Sequence, residues 1–428
     1  MNALSQTVSH TKRMGFDVHH INFRSHHVIP SKFGNMMKHQ IENESTMGYY
    51  GMDEISMKSG SETSFSGTKT FEIPTTYTRL HKLFLRLRVL NGNAAAAGDQ
   101  TLKMSPYLIK NLRFYIGSRE IYNCGSDELL HYYGLLSTYE QLSGVLGTLS
   151  KIPSDFSTTT NRVVEDDGEY RDIYLDISTI FNQMHISPQA LHHAGNLVIR
   201  CEIELYTVVG ELTEGTEAIT NFSISVAKLH AIHWIGMETE NSSLIKAYKD
   251  GITLKYLDTV SHNEISKTLT GGSTSRYPLS QFTGKNVAFL VAGLRDTAWS
   301  STGSTIYRTY AGSWTEADAK RSTVKLTGHG IDLIPEISFE ELQLKNALIL
   351  PETTMLSSLG SGFMIFAFCD SIMNTLSNGV HTGGVYFTGT EELILVPHTT
   401  LTTYDLDVIA YCYAGVRIRC SSVDFIGK

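Results

Sequence analysis

Cysteine is scarce in this sequence: five in 428 residues, at positions 124, 201, 369, 412 and 420, with no CxxC pair. An odd, widely spaced set argues against a disulfide framework or a zinc ribbon, and buried reduced thiols are expected. Long apolar runs are missing too. None is longer than Phe363 to Cys369, "FMIFAFC", whereas a spanning helix needs about 20 residues. Cations are not in surplus, with 35 Lys and Arg against 43 Asp and Glu and a formal net charge of −8. A chain that coats nucleic acid must neutralise phosphates, so no such role and no sequence-specific nucleic-acid binding is expected. The opening "MNALSQTVSHTKRMG" has no apolar h-region, which leads to the expectation of folding in a cytoplasm.

The motifs of catalysis are also missing. There is no GxSxG elbow, no HExxH, no GxxxxGK[ST] loop and no dinucleotide fingerprint; "TGKN" around Lys285 lacks both the first Gly and the closing hydroxyl. No enzyme, catalytic residue or cofactor is expected. The pairs His19-His20, His26-His27 and His192-His193 invite a metal reading. Neighbours on a strand point to opposite faces, however, so such pairs cannot chelate one ion there. The same holds for His230 and His233 in "KLHAIHW", read as sheet residues beside Trp234. "VVEDDGEY" gathers Glu165, Asp166, Asp167 and Glu169 without the spaced ligands of a calcium loop and reads as a solvated loop. No metal site is expected. Sequons at Asn43, Asn221 and Asn241 matter only in a secretory lumen.

What is present is period-two alternation, from about Thr63 to the end. In "LFLRLRVL", Leu83, Leu85, Leu87 and Val89 share one face. In "NLVIRCEIELYTVVG" (196 to 210), Leu197, Ile199, Cys201, Ile203 and Leu205 point one way and Arg200, Glu202 and Glu204 the other. Strands are likewise expected at 63–73, 221–236, 251–257, 286–293, 362–369, 392–397 and 405–420, with Gly, Ser and Thr clusters between them. Two long strands, 196–210 and 405–420, each close a block of similar size. The expected organisation is an arm over 1–50, a first β domain over 51–212 and a second over 213–428. The arm holds six of the 17 histidines and the cations Lys12, Arg13, Arg24, Lys32 and Lys38. Its weak periodicity reads as an extended segment lying against something else.

One stretch departs from strand after strand. "NLRFYIGSREIYNCGSDELL" (111 to 130) alternates, turns at Gly117-Ser118, alternates back and then becomes helical. Gly at the first turn position fits a type II′ hairpin. Ser126 is the expected N-cap, with Asp127 and Glu128 at the positive end of the dipole. Leu129, Tyr133, Leu136 and Tyr139 then mark a helix of about four turns.

This hairpin-to-helix segment, "LIKNLRFYIGSREIYNCGSDELLHYYGLL", resembles double jelly-roll major capsid proteins of icosahedral DNA viruses, of the adenovirus-like and nucleocytoplasmic large DNA virus-like lineage. Those proteins carry an "IGGQ-I" hairpin, a polar linker and an aromatic-rich helix in the same order; here Gly117-Ser118-Arg119 stands for Gly-Gly-Gln. "DIYLDISTIFNQMHISPQALHHAGNLVIRCEIEL" (172 to 205) is similar to the strands that end the first jelly roll of the family. "DLDVIAYCYAGVRI" (405 to 418) is similar to its closing strand. Residues 240 to 360 show no motif that aligns.

The resemblance implies an all-β fold of two tandem eight-stranded jelly rolls with short helical insertions. It implies a homotrimer forming a pseudo-hexameric capsomer that tiles a virion shell. The implied partners are neighbouring capsomers, minor capsid and penton proteins, and an internal lipid membrane. The arm would lie inside, with Lys12, Arg13, Arg24, Lys32 and Lys38 facing that inner surface. Two other readings compete. A host-attachment or carbohydrate-binding β protein fits the Ser/Thr-rich loops. A bicupin metalloenzyme shares the strand order but needs an HxH followed by Glu, which this sequence does not contain.

Overall fold

The computed structural model describes residues 49–91, 101–102, 105–136, 149–150, 170–207, 213–214, 222–236, 238–296, 321–349, 363–378 and 381–427. The arm residues Lys12, Arg13, Arg24, Lys32 and Lys38, the acidic loop at 165–169 and Tyr139 lie outside these.

The first half contributes β1 (Tyr49–Ile55), β2 (Met57–Ser59), β3 (Thr68–Glu72), β4 (Arg79–Asn91), β5 (Thr101–Leu102), β6 (Ile109–Ile116), β7 (Arg119–Cys124), helix α1 (Ser126–Leu136) and β8 (Tyr170–Asp176). Then come α2 (Phe181–Met184), α3 (Pro188–Gly195), β9 (Ile199–Leu205), β10 (Thr213–Glu214) and β11 (Phe222–Ile235). These strands build one antiparallel sheet in the order β1-β11-β4-β8 and a second in the order β2-β3-β9-β6-β7, while β5 and β10 pair with each other as a short ribbon. Leu83, Leu85, Leu87 and Val89 on β4, and Ile199, Cys201, Ile203 and Leu205 on β9, are all buried between the sheets. Alternation in the sequence therefore selects the inner faces of a sandwich.

Helix α4 (Glu238–Asp250) leads to the second half: β12 (Ile252–Leu269), β13 (Ser275–Pro278), β14 (Asn286–Asp296), β15 (Thr323–Gly328), β16 (Ile331–Ser338), α5 (Phe339–Ile349) and β17 (Phe363–Ala367). It ends with α6 (Ile372–Asn378), β18 (Val385–Tyr386), β19 (Glu392–Val396), β20 (Leu401–Arg419) and β21 (Ser422–Ile426). One sheet runs β12-β20-β14-β17, with β18 on β14 and β21 on β20, and the other runs β13-β19-β15-β16. β1 lies beside β11 as β12 lies beside β20, and the order repeats: β1-β11-β4-β8 answers β12-β20-β14-β17, and β3-β9-β6-β7 answers β13-β19-β15-β16. The two sandwiches are topological copies.

Several expectations need correction. The expected boundary at 212/213 gave β11 to the second domain, but β11 is hydrogen-bonded between β1 and β4 of the first sandwich. Alternation shows that a segment is a strand, not which sheet it joins. The hairpin forms as expected, with φ of +60° at Gly117. Its helix is capped differently: Glu128 Oε2 accepts the Gly125 N–H at 2.9 Å, and Ser126 is already the first helical residue. His192 and His193 sit on the last turn of α3, not on a strand. Cys124, Cys201, Cys369 and Cys412 are buried thiols, whereas Cys420 is exposed and has φ of +50° at the turn into β21.

The segment "FMIFA" of β17 has no polar side because both faces of its sheet are covered. Leu290, Ala292, Met364, Phe366, Val408 and Ala410 enter the core of the second sandwich. Phe289, Val291, Phe363, Ile365, Ile409 and Tyr411 point the other way and join the core of the first. Burying both faces in one continuous apolar body makes the pair of sandwiches a single mechanical unit.

Candidate assembly surfaces

The seam between the sandwiches is built around α1. Among the described residues of this helix Leu129, Leu130, His131, Tyr132, Tyr133 and Leu135 are all buried. His131 meets Phe363 edge-on at 5.5 Å and Tyr411 at 6.4 Å, both on the second sandwich. Tyr411 in turn stacks on Phe289, with centroids 4.3 Å apart and planes 13° from parallel. The Tyr133 hydroxyl binds the Asp176 N–H at the end of β8, which anchors the helix to its own sandwich. The helix after the hairpin is thus a wedge that one sandwich drives into the other.

Hydrogen bonds fix the angle of that wedge. Tyr256 Oη donates to the Ile121 carbonyl at 2.8 Å, and the Leu257 N–H donates to Gln183 Oε1 at 2.7 Å. On α4, Tyr248 Oη accepts the Ser187 N–H at 3.0 Å. These groups are buried, so each bond would leave an unsatisfied partner if broken. Burial also raises the Tyr248 and Tyr256 hydroxyls far above their usual range, so they stay protonated donors or acceptors. A cleft of about 560 Å³ opens along the seam, lined by polar residues that include Lys110, Glu120, Asp127 and Asp258.

The outer faces of the first sandwich differ sharply. On the β2-β3-β9-β6-β7 side the outward residues of β9 and β6 include Arg200, Glu202, Glu204, Lys110 and Arg113, as on an ordinary solvated sheet. On the β1-β11-β4-β8 side the outward face carries Tyr50, Met52, Ile232, Trp234, Phe84 and Tyr174. Tyr50 and Met52 are 62% and 66% exposed, and the Tyr50 ring lies 4.9 Å from both Trp234 and His81. Higher on the same face Asp172 is gripped by Arg86 and Arg88, which hold its carboxyl down at about 2. Beneath this face His233 is buried, stacked on Tyr77 at 3.9 Å and bonded to Asp53 at 2.9 Å.

The second sandwich has its own exposed apolar pair. Helix α5 follows β16 as α1 follows β7, and the two helices align residue for residue: "SDELLHYYGLL" against "FEELQLKNALI". Glu341 repeats the Glu128 cap, accepting the Ser338 N–H at 3.0 Å. Leu342 is buried like Leu129. Asn346 takes the place of Tyr133 and likewise ties its helix to the next strand, donating to the Ile365 carbonyl at 2.9 Å. At the positions of His131 and Leu135, however, stand Leu344 and Leu348, which are 65% and 80% exposed. Sequence reading found no motif between 240 and 360; the "EEL" of 340–342 answering "DEL" of 127–129 was the available signal.

The ends of the unit are distinct. Asn91, Phe222, Asp296 and Phe363 lie at the strand ends that lead to the long segments 92–100, 215–221, 297–320 and 350–362. Tyr49, where the arm joins, pairs with Ile235 at the opposite end. Among the described residues no three His, Cys, Asp or Glu side chains gather as a metal ion would require.

This arrangement matches solved structures. The VP54 protein of PBCV-1, fitted into a reconstruction of the virophage Sputnik, superposes with a TM-score of 0.64 at 13% identity, over 89% of this chain and 97% of that one. The chain has the double jelly-roll fold. The Faustovirus major capsid protein superposes with a TM-score of 0.59 at 12% identity, over 88% and 91% of the two chains. A chain of the Sputnik virophage structure does so at 0.53 and 11%, over 89% and 88%. No known family profile matches the sequence and no curated protein does. The double jelly roll is therefore legible in the backbone at identities where sequence comparison is silent.

Proposed function

We propose that this double jelly roll is the major capsid protein of an icosahedral DNA virus, located in the virion, with a structural and not a catalytic role. The observation that carries the reading is the fusion of two topologically equivalent sandwiches into one rigid body, in the form found in the capsid proteins it resembles. A shell subunit needs a fixed angle between its lobes, and the wedge of α1 supplies one. Three copies associate into a pseudo-hexameric capsomer, and capsomers tile the shell with minor capsid and penton proteins. The boundary between the jelly rolls falls at α4, after β11.

Tyr49, the first described residue, lies at the end of the first sandwich opposite to Asn91 and Phe222, which supports an inner position for the arm and an outer one for segments 92–100 and 215–221. Lys12, Arg13, Arg24, Lys32 and Lys38 then face an internal membrane or minor capsid proteins. The native mass tests the reading: a stable species of three chains of 47.6 kDa each is expected, and a monomer at every concentration overturns it. Removing residues 1 to 40 is expected to lower particle yield or lipid content while leaving the three-chain species intact.

A further inference from the structure

We infer that the cleft along the seam binds a linear aliphatic polyamine, whose ammonium groups bridge an acidic wall of the first sandwich to one of the second. The site lies within one chain, so the inference goes beyond the capsid reading and does not depend on it.

Charge gives the sign of the ligand. Glu120 on β7 and Asp127 and Glu128 on α1 line the cleft from the first sandwich, and Asp258 on β12 and Asp407 on β20 line it from the second. Among the described lining residues Lys110 alone is cationic, and it is bonded to Glu204, which is not part of the lining, at 2.9 Å. The N-terminus of α1 adds only about half a positive charge. A space of about 560 Å³ is therefore strongly negative.

Buried hydroxyls point to an occupant. Tyr411 is 3% exposed and its ring stacks on Phe289, yet its Oη has no hydrogen-bond partner among the described residues. That hydroxyl lies in the field of Glu128, Cys124 and Asp127, all of which line the cleft. Burial first, and those groups after it, push it well above its ordinary range, so it stays a neutral hydroxyl. Thr259, directly opposite on β12 and itself in the lining, has a buried Oγ1 that is likewise without a partner. Orphaned buried hydroxyls are costly. An ammonium entering the cleft donates to both oxygens.

The spacing of the acids selects the class of cation. They are strung out, and among the described residues no three converge as a metal ion requires. Asp407 pairs with Asn263, five residues along β12 from Asp258, so this wall extends roughly 16 Å at about 3.3 Å per residue. A row of separated carboxylates suits ammonium groups separated by methylene chains. The methylenes can lie against Ile409, an apolar residue of the lining.

The test is calorimetric titration of the full chain with spermine at about 0.15 M salt, where charges on the open surface are screened. Wild type is expected to take up one spermine per chain and to melt at a higher temperature in its presence. The variant Glu120→Gln/Asp127→Asn, changed at partly or fully exposed positions, is expected to fold normally and to bind about 10-fold or more weakly, as for lost hydrogen bonds to charged groups. Tyr411→Phe is expected to melt like wild type without ligand, because the hydroxyl removed bonds nothing, and still to bind spermine more weakly. A tyrosine with a purely structural role would show the reverse pattern. Uptake of several spermines with equal affinity by all three proteins would mean condensation on an acidic surface and would overturn the site, as would no uptake at all. Tighter one-to-one binding of calcium or of tetralysine would overturn the polyamine as its ligand.

Discussion

Tyr256, on the first strand of the second jelly roll, donates its hydroxyl to the carbonyl of Ile121 in the first at 2.8 Å, and neither group reaches solvent. The hydrogen bond crosses the seam that sets the angle between the two lobes. In the proposed capsid role the subunit holds that angle against the strain of its neighbours, so on that reading this contact serves the proposed function as well as stability.

Replacing Tyr256 by Phe leaves the packing in place and the Ile121 carbonyl unsatisfied. The expected cost is about 1 to 3 kcal/mol, measured by chemical denaturation. An unchanged midpoint would show that water or another donor reaches Ile121.

The cysteines give a simpler check of the seam and cores. Four thiols are buried and Cys420 alone is exposed; burial pushes the Cys412 thiol up to about 12 and raises Cys124, Cys201 and Cys369 as well. One thiol is expected to react with an aromatic disulfide reagent in the native chain and five after unfolding. Reaction of two or more native thiols at similar rates would mean that a core opens readily.

Asp172 sets an acid limit. Its carboxyl is held at about 2 by Arg88 and Arg86, below the ordinary 3.8. A depressed folded value means that its stabilisation is fully present above about pH 4 and is lost as pH falls through about 2. Wild type is therefore expected to be more stable than the Asp172→Asn variant at neutral pH, with the difference shrinking between about pH 4 and 2. A difference independent of pH over that window would assign the effect to packing.

Much of the fold was legible because one-sided burial writes itself as alternation, as in Leu83 to Val89 and Ile199 to Leu205. The hairpin at Gly117 was legible through its turn chemistry. The allocation of β11 was not, since pairing partners leave no trace in a single strand. Nor was the two-sided burial of β17, because a short apolar run looks alike in any core. Leu344 and Leu348 lie in the stretch where no motif aligned, and their exposure becomes visible only when α5 is laid over α1.

The most direct measurement is electron microscopy of the purified native protein with unconstrained class averaging. The account predicts particles with six lobes around a three-fold axis, two lobes for each chain. Isolated two-lobed particles, or a two-fold pair, would contradict it.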